Sequence, residues 1–151
     1  EQLNNHSKYA DDTGYFIGAA NTIKAGSIIF PKRGASILLN KIRILKRDSF
    51  MDTNLMTLTC DDELDSEFLF YYLTFKGLDK VADTTSIPQI NNKHINPFQI
   101  PFFQKDEQLA IVGVLSDIDA EVDALMQRLH KTQQLKQGMM QELLTGKTRL
   151  I

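Results

Sequence analysis

The side chains in this sequence best suited to binding chemistry lie in two separate places. From Lys24 to Arg47 seven basic residues, Lys24, Lys32, Arg33, Lys41, Arg43, Lys46 and Arg47, occur with no Asp or Glu between them. Basic residues on short strands and a tight turn, Pro31-Lys32-Arg33-Gly34, make a surface that tracks phosphates, because counterions released from the duplex supply much of the affinity. A solvated sheet face guarded by lysines has the same composition, so charge alone does not decide. The second place is the polar run Thr84, Thr85, Ser86, Gln89, Asn91, Asn92 and Lys93 around Pro88. Asn and Gln pair bidentately with adenine, and Arg33 is suited to guanine. Ser, Thr and Asn also bond their own backbone in ordinary loops. The candidate contacts with double-stranded DNA are Lys32, Arg33, Ser36, Lys41 and Arg43 in the first stretch, with all seven residues of the second.

Catalytic readings are weaker. Asn96-Pro97-Phe98 lacks the second proline of the amino-methyltransferase tetrapeptide, and no glycine-rich cofactor loop follows a strand upstream. Between Asp48 and Glu67 there are seven acidic residues and no Lys or Arg. The cluster Asp61-Asp62-Glu63-Asp65-Glu67 therefore lacks the lysine that would complete a metal-dependent nuclease site, and reads as a solvated loop and helix N-terminus. Cys60, the single cysteine, lies in an apolar run and reads as a small core residue. The three histidines, His6, His94 and His130, have no metal-ligand spacing with it. No catalytic residue, metal or cofactor is expected in this chain.

The elements that must carry these residues follow from local pattern. Gly14–Ala20, Ser27–Pro31, Ser36–Leu39, Lys41–Leu45 and Leu55–Cys60 are short aliphatic or β-branched runs, punctuated by Gly26, Gly34 and Asn40, and predict strands. Ser66 is placed to cap a helix through Phe75, with Phe68, Leu69, Tyr71, Tyr72 and Phe75 facing the core and Gly77 ending it. The residues before Asp12 predict a loop. Asp83–Phe103 holds three of the four prolines and predicts an ordered irregular stretch.

From Asp106 to Thr145 apolar residues recur every three or four positions, the signature of one long helix. Ile111, Leu115, Ile118, Val122, Leu125 and Leu129 are separated by 4, 3, 4, 3 and 4 residues, a coiled-coil seam. The seam weakens at Thr132 and Lys136, with Gly138 nearby, before Met139 and Leu143 restore it. At 1.5 Å per residue the helix would be roughly 55–60 Å long, so part of it is expected to project and find a partner. Its first half carries Asp106, Glu107, Asp117, Asp119, Glu121 and Asp123, and its second Arg128, Lys131 and Lys136, with Lys147 beyond, against Glu142 alone. An identical helix would pair best antiparallel, although the helix macrodipole favours part of this sorting by itself.

With 151 residues, 42% hydrophobic, 24% charged and a net charge of −2, the composition suits one globular domain plus this helix. No apolar run approaches the roughly 18 residues of a membrane span, and a lone cysteine fits a cytoplasmic protein. A start at Glu1 instead of Met predicts a fragment.

Several motifs together resemble a known family. Ile87-Pro88-Gln89-Ile90-Asn91, Ile100-Pro101-Phe102-Phe103, Glu107-Gln108 opening a helix with Ile111, Leu115 and Asp119, and Leu135-Lys136 through Met140-Gln141-Leu143-Leu144-Thr145-Gly146-Lys147 and Arg149 are similar to the specificity subunit of type I restriction-modification systems. Ala25-Gly26-Ser27-Ile28-Ile29-Phe30 followed by Lys32-Arg33-Gly34 resembles that family's strand and turn inside a target-recognition domain. The resemblance implies a DNA-reading module with a spacer helix, two of each in a full subunit, the helices packed antiparallel to fix the separation of two half-sites. It also implies modification (methyltransferase) subunits that use S-adenosylmethionine, and a restriction subunit. One recognition domain and one helix imply either a natural half-subunit or half of a longer chain.

The expectation is thus an α+β protein: a small strand-rich recognition domain over 1–104 and a long coiled-coil helix over 105–151. The helix would dimerise, as an antiparallel homodimer or with a second half-subunit, through Ile111, Leu115, Ile118, Val122, Leu125, Leu129, Met139 and Leu143. The competing expectation is a coiled-coil assembly adaptor whose globular domain binds protein.

Overall fold

The computed structural model describes residues 9–10, 22–83 and 87–151, and its sheet runs β1 (Tyr9–Ala10), β3 (Arg43–Leu45), β2 (Ile28–Pro31), β4 (Leu55–Leu58) in spatial order. β2 pairs antiparallel with β3, Ile28 opposite Ile44, and with β4, Ile28 opposite Leu58; β1 adds two residues parallel to β3. Alternation along β2 sorts side chains to two faces. Ile28 and Phe30 join Ile44 and Met56 in the main core, whereas Ile29 and Leu45 pack with Ile23 and Met51 on the other face. The strand expected at Gly14–Ala20 and the residues Thr84, Thr85 and Ser86 lie outside the described residues.

One expected strand is a helix. Ser36–Leu39 falls largely in α1 (Ala35–Leu38), where Ile37 is buried while Leu38 and Leu39 are exposed. Four apolar residues do not distinguish strand from helix by period. The deciding feature is Gly34, whose φ of +87° turns the chain sharply after β2, so that Ile37 N–H donates to the Gly34 carbonyl at 3.1 Å. Asn40, at φ +49°, then ends the turn. Its side chain accepts from Leu78 N–H and donates to the Thr74 carbonyl, both at 2.9 Å, joining the end of α1 to the end of α2.

Helix α2 (Ser66–Lys76) buries Phe68, Leu69, Phe70 and Leu73 against the sheet. Its cap is Asp65 and not Ser66: the Asp65 carboxylate accepts from Glu67 N–H at 2.9 Å and Phe68 N–H at 3.1 Å. A charged cap is the stronger acceptor at the positive end of the helix, which is why it wins over the adjacent hydroxyl. Tyr71 and Tyr72 are half-buried, and Phe75 is exposed rather than core-facing. Gly77, at φ +82°, ends α2, and a Cβ there would collide with the Asp79 carboxylate. A 3₁₀ turn (Leu78–Lys80) follows. The proline-rich stretch contains a short helix, α3 (Asn92–Ile95), and its Ile95, Phe98 and Ile100 pack on the main core.

Helix α4 spans Lys105–Leu144, 40 residues. The chain divides into two compact units, Glu1–Val112 and Gly113–Ile151, so the first two turns of α4 belong to the first unit. There Gln108, fully buried, ties three segments: its Oε1 accepts from Asp65 N–H at 2.8 Å, and its Nε2 donates to the carbonyls of Glu63 at 2.9 Å and Phe103 at 2.8 Å. Phe103 in turn meets Phe68 edge to face at 5.8 Å. In the second unit Ile118, Val122, Leu125, Leu129 and Met139 are 53, 41, 56, 57 and 47% exposed. Ile111, Leu115 and Leu143 are half-buried.

Candidate nucleic-acid interface

The two polar stretches that lie some fifty residues apart in sequence are hydrogen-bonded neighbours. β2 continues past Pro31 into Lys32, whose N–H donates to the Asn54 carbonyl at 2.8 Å on one side, while its carbonyl accepts from Ile90 N–H at 2.8 Å on the other. Arg33 and Gln89 form an antiparallel bridge, and Gly34 N–H donates to the Pro88 carbonyl at 2.9 Å. Gln89 also bridges Asp83, accepting Asp83 N–H at 2.9 Å, so the segment from Pro88 to Ile90 lies between Lys32–Gly34 and Asp83. Ile37 and Ile90, both fully buried, anchor the turn and the loop in the same core. A basic turn and amide side chains are thereby held on one backbone frame.

Among the described residues the side chains of Lys32, Arg33, Lys41 and Lys93 have no ion-pair or hydrogen-bond partner, and all but the half-buried Lys32 are exposed. The remaining basic residues differ. Lys24 pairs with Asp48 at 2.9 Å, an interaction that raises the lysine pKa and lowers that of the carboxylate. Arg43 lies opposite Ile29, its Nη1 donating to the Ile42 carbonyl at 2.6 Å, and partial burial lowers its pKa from the ordinary guanidinium value. Lys46 and Arg47 also have partners. Of the seven basic residues, then, the three with free head groups are Lys32, Arg33 and Lys41. Ser36 is half-buried on α1, and Gln89 is half-buried beside Arg33. Asn91, Asn92 and Lys93 are exposed where α3 begins, with Asn91 N–H donating to His94 Nδ1 at 3.1 Å.

The other residues weighed for chemistry are engaged by the fold. Cys60 packs half-buried against the main core, and burial followed by the nearby Asp65 and Asp61 pushes its pKa up to about 11, the reverse of an activated thiol. Asp61 folds its carboxylate back onto the Glu63 and Leu64 N–H groups, at 3.1 and 3.2 Å. Among the described residues no group of His, Cys, Asp and Glu has the arrangement of a metal site, and no helix is long and apolar enough to cross a membrane.

Sequence reasoning missed two residues. Gln108, noted only as part of a motif, joins α4 to the loop before α2. Asn40, taken as punctuation, joins two helix ends. A signal for the second was present, since Asn is the residue after Gly most tolerant of positive φ.

A family model for the type I restriction modification DNA specificity domain matches residues 3–137. The fold is similar to a chain from work on complex assembly and conformational transition of the type I R-M system, with a TM-score of 0.69 at 20% identity over 83% of this chain and 32% of that one. It is also similar to the type I restriction-modification S subunit from M. genitalium, with a TM-score of 0.59 at 23% identity over 92% of this chain and 38% of that one. This chain spans about a third of the length of each.

Proposed function

Because this chain belongs to the type I restriction modification DNA specificity family, we propose that it reads base sequence in duplex DNA and performs no chemistry itself. The observation that carries this reading is the Arg33–Gln89 bridge, which sets the unpaired Lys32 and Arg33 beside the amide-bearing segment from Gln89 to Asn92. Phosphate contacts from Lys32, Lys41 and Lys93 orient the duplex, while Arg33, Gln89, Asn91 and Asn92 address base edges, Arg33 suited to guanine O6 and N7 and the amides to adenine N6 and N7. Ser36 supplies a further hydroxyl, and Thr84, Thr85 and Ser86 belong to the same chain segment as Gln89. Arg43, with its head group engaged, sets the local potential more than it touches phosphate.

In the cytoplasm the chain acts within a larger assembly. The exposed seam on α4 pairs with a second copy or a second half-subunit, and modification subunits that carry S-adenosylmethionine, with a restriction subunit, take their address from the paired recognition surfaces. A bipartite target follows. The test is binding of the full chain to mixed-sequence duplex: Lys32→Ala/Arg33→Ala weakens it on the order of tenfold or more while the circular-dichroism spectrum and melting point stay unchanged. Equal binding by the double variant removes the basic turn from the interface.

A further inference from the structure

A cleft of about 420 Å³, open to solvent, lies beside the reading surface, lined among others by Lys80, Lys93, His94 and Phe98. Its walls continue the two segments paired at Asp83 and Gln89: one leads back to Lys80 and Val81, the other forward to Lys93 and His94. Lys93 has no partner among the described residues, and Lys80 has only its sequence neighbour Asp79, at 3.3 Å and mostly exposed, an ion pair of the kind that contributes little. His94 adds a donor of fixed position. Its Nδ1 accepts the Asn91 N–H, so the neutral ring carries its proton on Nε2. Phe98, packed on the core and 6.0 Å from the Tyr72 ring, gives the cleft a rigid apolar wall.

Two ammonium groups and an imidazole N–H favour an acceptor-only, negatively charged guest, and an opening at the surface admits a polymer lying across it. We infer that this cleft seats one backbone phosphate of the duplex, flanking the bases addressed by Arg33 and Gln89, with Lys80, Lys93 and His94 as its donors. The inference rests on the DNA-reading function proposed above and adds Lys80 and His94 to Lys93 as donors to a single phosphate. Lys80 and His94 thereby touch the duplex directly, and a phosphate fixed here sets the register in which Arg33 meets its base.

The test is the salt dependence of duplex binding by the full chain and by Lys80→Ala/Lys93→Ala, both positions being exposed. Loss of one phosphate contact lowers the log–log salt slope by about one and weakens preferred and non-preferred duplexes by the same several-fold factor. An unaltered slope in the double variant, while the unmodified chain binds duplex, overturns the cleft assignment and leaves the reading surface standing. A change confined to sequence preference overturns it also, making Lys93 a base reader. Absence of any duplex binding by the unmodified chain defeats both. The source of the phosphate is resolved by the His94 Nε2–H resonance: it moves on adding duplex and stays in place with inorganic phosphate at equal ionic strength. Movement with inorganic phosphate alone assigns the cleft to a free anion and overturns the inference.

Discussion

Arg33 and Lys32 are adjacent in sequence, yet the fold gives them different prospects. Arg33 is exposed next to Gln89, whereas Lys32 is half-buried between the backbones of Asn54 and Ile90. A planar guanidinium reading guanine discriminates between bases, and an ammonium on a phosphate does not. Arg33→Ala therefore costs about 1–3 kcal/mol and relaxes the requirement at a single base pair, while Lys32→Ala lowers affinity for all sequences alike. Competition binding with a panel of singly substituted duplexes separates the two; uniform loss in both variants would leave Arg33 with no reading role. Cys60 reports on the packing of the recognition unit. Its thiol is pushed up to about 11 from an ordinary value near 9, so alkylation at pH 8 should be slow in the folded protein and rise sharply in denaturant. A folded pKa above the unfolded one stabilises the protein below pH 9, and this contribution fades as pH climbs towards 11. Fast alkylation of the native chain would contradict the burial of Cys60.

Among elements, Gln108 hydrogen-bonds the first turn of α4 to the loop before α2 and to the chain leading into the helix. Gln108→Ala leaves Asp65 N–H and the carbonyls of Glu63 and Phe103 without that partner. A buried group so stranded costs about 1–3 kcal/mol, so the urea midpoint should fall well below that of the unmodified chain. Gln108→Glu keeps the shape but sets a carboxylate against two carbonyls; its stability should be best at acid pH, where the protonated form donates, and decline as pH rises. An unchanged midpoint for Gln108→Ala would mean that the clamp is incidental. What was legible beforehand follows the range of the interactions. Helices α2 and α4 and strand β2 show in local period and composition, so the α+β class and the long helix were readable, although α4 ends at Leu144 and does not run to the expected Ile151. Ser36–Leu39 was misread because a single turn set by Gly34 outweighs four apolar residues. The meeting of Lys32–Gly34 with Pro88–Ile90 left no local trace, since it is made by backbone N–H and C=O groups of segments about fifty residues apart, which every residue type but proline carries alike. Only the residue types on either side hinted at a shared purpose. Gln108 was hidden for a similar reason: a glutamine in a helix's first turn looks like surface until its partners are known.

For the whole molecule, the unresolved demand is apolar. Ile118, Val122, Leu125 and Leu129 present one exposed seam, and in the proposed antiparallel pair the acidic first half of α4 would lie beside the basic second half of its partner. Each such buried side chain stabilises the pair by about 1.5–3 kcal/mol before association costs. Leu125→Asp should shift sedimentation from dimer to monomer at micromolar concentration, leave the melting of the recognition unit unchanged, and reduce specific DNA binding strongly. A monomeric unmodified chain would point instead to a second half-subunit as the partner. A two-fold pair repeats its reading surface, and the symmetry of a protein is mirrored in the site it reads. DNA reading by such a pair is tested by selecting bound duplexes from a randomised pool with the full chain and sequencing them. Two-fold reading by Arg33 and Gln89 predicts an enriched interrupted palindrome, its half-sites about one helical turn apart, and loss of one position in each half when Arg33 is replaced by Ala. Recovery of an unenriched pool, or of the same motif from the Arg33→Ala chain, would contradict it.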